Sequence, residues 1–272
     1  MSDLARRALT VVVGIPLVVG WLWGAHALSS FWLLILPLAA LTGVAAWEYA
    51  GLAHAMGHPL DRWVFTAVAV ASLVVHGAVS PPLETVGVLA GGMILVGLAQ
   101  VGRPNPVRTG MSGAVGLVYL PLLLSLVVPF AISLHAVGLK LVLTLLALVW
   151  GYDSGAYLIG SQWGRHRMAP TLSPKKSWEG ALGGLFVAGV VGLLSMLWLP
   201  WGLHGLALAV SVSIAAQLGD LFESWLKRMA DVKDAGAIFP GHGGVLDRID
   251  ALLFALPVFH AYLVMVVGWQ PL

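Results

Sequence analysis

Long apolar runs alternate with short polar breaks along most of the chain, and this pattern predicts membrane-crossing helices. A hydrocarbon core of about 30 Å needs roughly 20 apolar residues per helix. The breaks carry turn-forming residues, as at Ser29-Ser30, Gly57-His58-Pro59 and Ser80-Pro81-Pro82. We therefore predict an all-α, polytopic integral membrane protein. Its nine expected spans are residues 8–26, 30–53, 63–80, 83–101, 111–134, 138–161, 179–199, 202–226 and 251–269.

The first span has features of a signal peptide as well as those of a membrane helix. Arg6 and Arg7 precede an apolar run, and Ala25-His26-Ala27 follows it in the manner of an A-x-A cleavage site. The run is longer than the apolar region of about 7–15 residues in a signal peptide, and more spans follow it. We expect an uncleaved signal anchor.

The composition agrees with a lipid environment. Of the 272 residues, 59% are hydrophobic and 10% are charged, whereas a soluble domain carries about 25% charged residues. The formal net charge of +2 is too small to favour nucleic acid, so we expect no nucleic-acid partner. Because the chain contains no cysteine, it can form neither a disulfide framework nor a thiolate nucleophile or metal site.

Nine spans assign every connecting loop to one side of the membrane or the other. The basic residues then lie almost entirely on one of the two sides. Only Lys140 lies on the other side. Because Lys and Arg collect in cytoplasmic loops, the N-terminus and the loops 162–178 and 227–250 should be cytoplasmic. The expected localisation is a multi-pass protein of the bacterial inner-membrane type. The basic residues on the cytoplasmic side are Arg6, Arg7, Arg62, Arg103, Arg108, Arg165, Arg167, Lys175, Lys176, Lys227, Arg228, Lys233 and Arg248.

The stretch from Asp220 to Asp250 concentrates charge in an otherwise apolar chain. It holds six of the twelve acidic residues and four of the fourteen basic ones. Ionisable side chains in a membrane helix are costly and usually face a functional cavity. An ion pair between Glu223 and Lys227 is the structural alternative, but it does not account for Asp220. Four side chains fall at i, i+3, i+4 and i+7 and share one helical face: Asp220, Glu223, Ser224 and Lys227.

Residues 233–244, KDAGAIFPGHGG, form a loop with four glycines and one proline. Glycines allow backbone amides to approach a bound anion. Lys227, Arg228, Lys233 and His242 add cationic or hydrogen-bonding groups nearby. The alternative is an ordinary flexible loop with an exposed histidine.

Asp247 and Asp250 stand three residues apart at the start of the last span, on one helical face. Paired carboxylates among phosphate-binding cations suit a hard divalent cation such as Mg²⁺. Favourable interaction with the helix dipole is the alternative, and it explains one aspartate better than two. Since Asp220 lies near the same membrane face, we predict a metal site.

The preceding cytoplasmic loop carries a second group of polar residues. Asp153 lies within the sixth span, where an unpaired carboxylate has no good structural explanation. The run from Ser173 to Gly180 opens the seventh span, and its Lys175 and Lys176 could form an anion site at a helix N-terminus. The alternative is that both lysines contact lipid headgroups.

Together these residues resemble the signature of phosphatidate cytidylyltransferases, also called CDP-diacylglycerol synthases. The resemblance covers 27 consecutive residues, SWLKRMADVKDAGAIFPGHGGVLDRID, from Ser224 to Asp250. The run that begins at Ser173 and the pair Gly219-Asp220 also look like family features. The resemblance is thin over residues 1–145, where Glu48 stands out and is expected to be a buried, hydrogen-bonded carboxyl.

The resemblance implies a dimeric membrane enzyme that transfers the cytidylyl group from CTP to phosphatidate. It also implies a requirement for Mg²⁺, assisted by a monovalent cation such as K⁺, with Asp220 and Asp247 as metal ligands and Asp250 adjacent. We expect these three aspartates and Lys227 to carry catalysis. The expected substrate-binding residues are Asp153, Ser173, Lys175, Lys176, Ser224, Arg228, Lys233, His242, Gly243, Gly244 and Arg248.

We expect residues 1–137 to form a scaffold that supports homodimerisation, and residues 138–272 to form the catalytic part. Two other functions remain open. A CTP-dependent membrane lipid kinase would use the same donor and metal but would release CDP instead of pyrophosphate. A cation-coupled transporter would use Asp153 and Asp220 as ion sites, but it leaves the loop around His242 unexplained.

Overall fold

The computed structural model describes residues 3–78, 82–102, 105–132, 136–238 and 243–268, and most of them are helical. A π-helical turn, Val118–Leu122, connects α5 to α6. The helices are α1 (Asp3–Ala27), α2 (Phe31–Ala55), α3 (Arg62–Ala78), α4 (Pro82–Leu98), α5 (Pro106–Leu117), α6 (Leu123–Ser125), α7 (Val128–Ile132), α8 (Ala136–Trp163), α9 (Trp178–Ser195), α10 (His204–Met229) and α11 (Leu246–Met265).

The structure confirms the prediction of a polytopic, all-α membrane protein. Most residues of each expected span are helical. The helices α3 and α4 have only 17 residues each, so the number of nine spans stays a prediction. Within the described ranges, six segments are long and apolar enough to cross a membrane: Phe31–Ala55, Pro106–Phe130, Val137–Trp163, Trp178–Ser195, His204–Met229 and Leu246–Met265.

The loop 162–178 is a β-hairpin and not an irregular connection. Strand β1 (Arg167–Ala169) pairs antiparallel with strand β2 (Ser173–Ser177). The expectation that Ser173 and both lysines open a helix was therefore wrong. Pro174 disfavours a helical conformation at the residue before it, and α9 begins only at Trp178, with Ser177 as its N-cap.

Helices α8 and α9 pack closely through small residues, as membrane helices often do. A Cβ atom on Gly184 would lie 2.7 Å from the Tyr152 ring, and one on Gly155 would lie 2.7 Å from Val187. This close approach holds the part of α8 that carries Asp153 against the middle of α9.

Helices α10 and α11 also come close together, next to the predicted site. A Cβ atom on Gly219 would lie 3.0 Å from Cβ of Phe254 and 2.5 Å from the carbonyl oxygen of Asp250. Because Gly219 precedes Asp220, this contact brings the C-terminal part of α10 and the start of α11, both of which carry charged residues, close together. Helix α11 begins at Leu246, so Asp247 and Asp250 occupy its start, as the sequence predicted.

Candidate active site

One lysine bridges two carboxylates at the ends of α10 and α11. Lys227 Nζ donates to Asp247 Oδ1 at 2.7 Å and also contacts the Glu223 carboxylate one turn back on its own helix. The side chains of Glu223 and Asp247 are 1% and 7% exposed. The i, i+4 ion pair considered from the sequence is therefore present, and Asp247 joins it from the next helix.

The second oxygen of Asp247 is held by the backbone of the glycine-containing loop. Oδ2 accepts hydrogen bonds from the amides of Ala235 (3.0 Å) and Gly244 (2.7 Å). Gly243 has φ +80°, in the region that favours glycine. A Cβ atom at Gly243 would lie 2.7 Å from the same oxygen. The loop thus folds around the Asp247 carboxylate, and a glycine at position 243 is needed for that fit.

A second lysine pairs with the deeper aspartate of α10. Lys176 Nζ, at the end of β2, lies 2.6 Å from Asp220 Oδ2. Ser224 donates a long hydrogen bond of 3.4 Å to Asp220 Oδ1. Asp153 of α8 interacts electrostatically with both members of this pair. Its side chain is exposed.

Asp250 interacts with residues of both lysine–carboxylate groups, the one around Lys227 and the one around Lys176. It is 9% exposed, and its Oδ1 accepts a hydrogen bond from the amide of Ala251. Its charge interacts with those of Asp220, Asp153 and Lys227. We call the whole set the acidic cluster. It comprises five carboxylates and two ammonium groups, so its formal charge is −3: Asp153, Asp220, Glu223, Asp247, Asp250, Lys176 and Lys227.

The acidic cluster fits a divalent cation by charge and by donor chemistry. Excess negative charge in an apolar surrounding needs compensation, and carboxylate oxygens are the ligands that Mg²⁺ prefers. In the described ranges, however, no three acidic or histidine side chains are grouped closely enough to form a ready metal site. Lys227 and Lys176 instead contact Asp247 and Asp220, two of the predicted ligands.

The remaining predicted residues lie around the acidic cluster. Arg228 is exposed, and its Nε donates to the carbonyl of Leu172 at 3.4 Å, which connects α10 to the hairpin. Lys233, Arg248 and Lys175 are also exposed. Ser173 is half-buried at the start of β2, and Gly244 is buried in the loop. His242 lies outside the described residues.

Three further residues reach this region without having been predicted as site residues. Glu223, which the sequence places on the charged face of α10 and not among the site residues, is fully buried within the acidic cluster. Tyr119, on the π-helical turn, is 3% exposed, and its hydroxyl lies within the electrostatic influence of Asp250 and Glu223. The third is Glu48. It is buried and hydrogen-bonded as expected, and its partners are backbone amides where the loop of the site meets α11. The polar character of Glu48 in an apolar span was the available signal.

Comparison with known proteins agrees with the resemblance seen in the sequence. Residues 5–266 match the model of the cytidylyltransferase family. A phosphatidate cytidylyltransferase of Staphylococcus aureus (strain COL) is 42% identical over 130 residues, which cover 47% of this chain and 50% of that protein. One of Brucella suis biovar 1 (strain 1330) is 43% identical over 127 residues, 46% of this chain and 47% of that protein. The chain thus spans about half the length of the curated relatives it matches.

Proposed function

The chain belongs to the cytidylyltransferase family, and from this premise we propose that it transfers the cytidylyl group of CTP to phosphatidate. The products are CDP-diacylglycerol, a precursor for phospholipid synthesis, and pyrophosphate. The observation that carries the proposal is the acidic cluster at the ends of two membrane helices, next to a loop of backbone amides. Relatives that share about half of the chain bear the name of this activity.

The reaction needs no nucleophile from the protein. An oxygen of the phosphatidate phosphate forms a bond to the α-phosphorus of CTP. The bond from that phosphorus to the bridging oxygen breaks, and its electron pair leaves with pyrophosphate. Because two anions must meet, catalysis of this class depends on positioning and charge neutralisation. The half-buried Lys176 and Lys227 would neutralise phosphate charge, and carboxylates that would hold a metal ion would do so as well.

We assign the triphosphate of CTP to the side of the cluster formed by α10 and the loop. Lys227, together with the more exposed Arg228 and Lys233, provides cations at the end of α10. The backbone around Gly243 and Gly244 provides amides that already bind an anionic oxygen. We also assign Ser224, Arg248 and His242 to this triphosphate subsite.

The metal ligands in this proposal are Asp220, Asp247 and Asp250. Mg²⁺, when bound, supplies a Lewis acid for phosphate oxygens. Because Lys176 and Lys227 pair with two of these carboxylates, they are placed to move from protein carboxylates to substrate phosphates as negative charge is redistributed. A monovalent cation such as K⁺ remains part of the prediction.

Phosphatidate is assigned to the side formed by α8 and the hairpin. Asp153 and Lys176 are the members of the acidic cluster on that side. Ser173 and the exposed Lys175 lie on β2. The acyl chains would enter between helices from the surrounding membrane lipid. We place this site on the cytoplasmic face, with the N-terminus on the same side. A homodimer, with residues 1–137 as its scaffold, is also part of the proposal.

Labelled CTP tests this function. Protein purified in detergent is incubated with phosphatidate, Mg²⁺ and CTP that carries label on either the α- or the γ-phosphate. We expect α-label in the lipid product and γ-label in pyrophosphate. Transfer of γ-label to lipid, with release of CDP, would identify a lipid kinase instead. Solute flux in vesicles without turnover of CTP would favour the transporter.

A further inference from the structure

Glu48 connects the N-terminal helices to the loop that holds Asp247. It lies near the end of α2, is 5% exposed, and faces the start of α11. Its Oε1 accepts from the amide of Val245 at 3.1 Å, and its Oε2 accepts from the amide of Leu246 at 2.8 Å. The first amides of a helix have no partner within the helix. Glu48 therefore caps α11 from a distant part of the chain.

The same carboxylate also fits against two glycines of the loop. A Cβ atom on Gly236 would lie 2.6 Å from Cδ of Glu48, and one on Gly244 would lie 2.5 Å from it. Neither position can carry a side chain while Glu48 stays where it is. The carboxylate is thus enclosed by the loop on one side and by the helix end on the other.

These contacts alternate with those of Asp247 along the loop. The amides of Ala235 and Gly244 bind Asp247 Oδ2, whereas Gly236 and the amides of Val245 and Leu246 contact Glu48. Two acidic groups therefore hold the same loop through different backbone atoms. A displacement of Glu48 would move the amides that orient Asp247.

From this arrangement we infer that Glu48 is a positioning residue for the active site. It acts through the loop and α11, and it sets where Asp247 presents its oxygens. The N-terminal helices thereby contribute to the geometry of the catalytic part, across the division at residue 137. The kinetic consequence rests on the proposed cytidylyl transfer, whereas the structural consequence does not.

Glu48→Gln is the discriminating variant because it preserves size and removes one acceptor. The amide oxygen of Gln can serve one of the two backbone amides, but its NH₂ group would face the other N–H. Loss of a buried charge-assisted hydrogen bond should loosen the loop locally. The matched control is Tyr49→Phe. It removes a part-buried hydrogen bond of 2.8 Å that the Tyr49 hydroxyl donates to the carbonyl of Ser112. Tyr49 is the neighbour of Glu48 in the sequence, and Ser112 is far along the sequence from the loop.

Hydrogen–deuterium exchange provides a readout independent of activity. In Glu48→Gln, amides of residues 232–238 and 243–250 should exchange about tenfold faster or more than in the wild type. The rest of the chain should keep its protection. In Tyr49→Phe these two segments should stay protected. Wild-type exchange in Glu48→Gln, or an equal increase throughout the chain, would overturn the positioning role.

Kinetics provide the second readout. The kcat of Glu48→Gln should fall about 10–100-fold, as for other residues that orient a metal ligand, with the KM for phosphatidate unchanged. Gly236→Ala places a methyl group against Glu48 and should give the same pattern. In the double variant, kcat should fall by less than the product of the two single decreases. Normal kcat in both single variants would overturn the inference. A wild type that makes no CDP-diacylglycerol would refute the proposed function, while the exchange experiment would still decide the role of Glu48.

Discussion

At the residue scale, the acidic cluster depends on a lysine that serves two buried carboxylates. The Lys227 side chain is 15% exposed, and its two partners are almost completely shielded from water. Two carboxylates and one ammonium group leave one negative charge uncompensated at this point. A cation or a redistribution of lysine contacts is therefore favourable here, which agrees with a site for metal and triphosphate.

Replacing Lys227 with Met should destabilise the protein. Glu223 and Asp247 would remain buried without their partner, and breaking a buried ion pair in this way costs about 3–5 kcal/mol. Thermal unfolding of the purified protein in detergent measures the effect, and Lys140→Met, at a lysine outside the acidic cluster, is the control. An unchanged melting temperature for Lys227→Met would show that these carboxylates do not depend on Lys227.

Contacts between residues close in sequence could be predicted, whereas distant ones could not. The spacing of Glu223 and Lys227 indicated their ion pair, and the spacing of Asp220 and Ser224 placed them together. By contrast, Lys176 lies at the end of β2, just before α9. It contacts Asp220 because α9 and α10 pack side by side. No spacing rule relates Glu48 to Leu246, since that contact depends on the tertiary arrangement of α2 and α11.

At the element scale, the close packing of α8 on α9 determines whether Asp153 reaches Lys176. Gly184→Ala would place a Cβ atom 2.7 Å from the Tyr152 ring and push the helices apart. We expect a loss of about 1–3 kcal/mol in stability from overpacking, together with reduced turnover. The control is Gly87→Ala on α4, where a Cβ atom would meet nothing within 4 Å. Equal stability of the two variants would contradict this account of the helix contact.

The hairpin is the element that the sequence did not reveal. Apolar periodicity finds membrane helices, but it carries little information on a short polar hairpin between two of them. Pro174 was the local signal that β2 is extended. In the proposed function the hairpin has a role, because it places Lys176 within the acidic cluster and leaves Lys175 exposed.

Lys175→Gln should weaken the use of phosphatidate without affecting that of CTP. One lysine near an anionic membrane surface contributes about 1 kcal/mol, or roughly fivefold in affinity. We therefore expect about a fivefold higher KM for phosphatidate in mixed micelles. Lys140→Gln should leave the KM unchanged. An unaltered KM in Lys175→Gln would remove this residue from the proposed lipid subsite.

At the scale of the whole molecule, the class of fold followed from apolar runs because a membrane helix has a strong sequence signature. The orientation followed from the distribution of Lys and Arg and remains a prediction. It can be tested directly, since the chain contains no cysteine and single cysteines can be labelled without removing others.

Lys233→Cys and Leu203→Cys should lie on opposite sides of the membrane. Residue 203 is 74% exposed in the connection between α9 and α10, and residue 233 is exposed beyond the end of α10. In right-side-out vesicles, a membrane-impermeant maleimide should label residue 203 and spare residue 233. In inside-out vesicles the result should reverse. Labelling of both positions from one side would contradict the proposed topology.

The most direct test of the acidic cluster as the active site is the turnover of Asp247→Asn beside that of Asp231→Asn. Asp231 is exposed and has φ +53°, a conformation that Asn tolerates, so its variant is a matched control. With α-labelled CTP and phosphatidate, we expect Asp247→Asn to lose about 100-fold or more in kcat while it remains folded and inserted in the membrane. Asp231→Asn should stay within about twofold of the wild type, as surface changes usually do. Near-normal transfer of label by a folded Asp247→Asn would contradict the account.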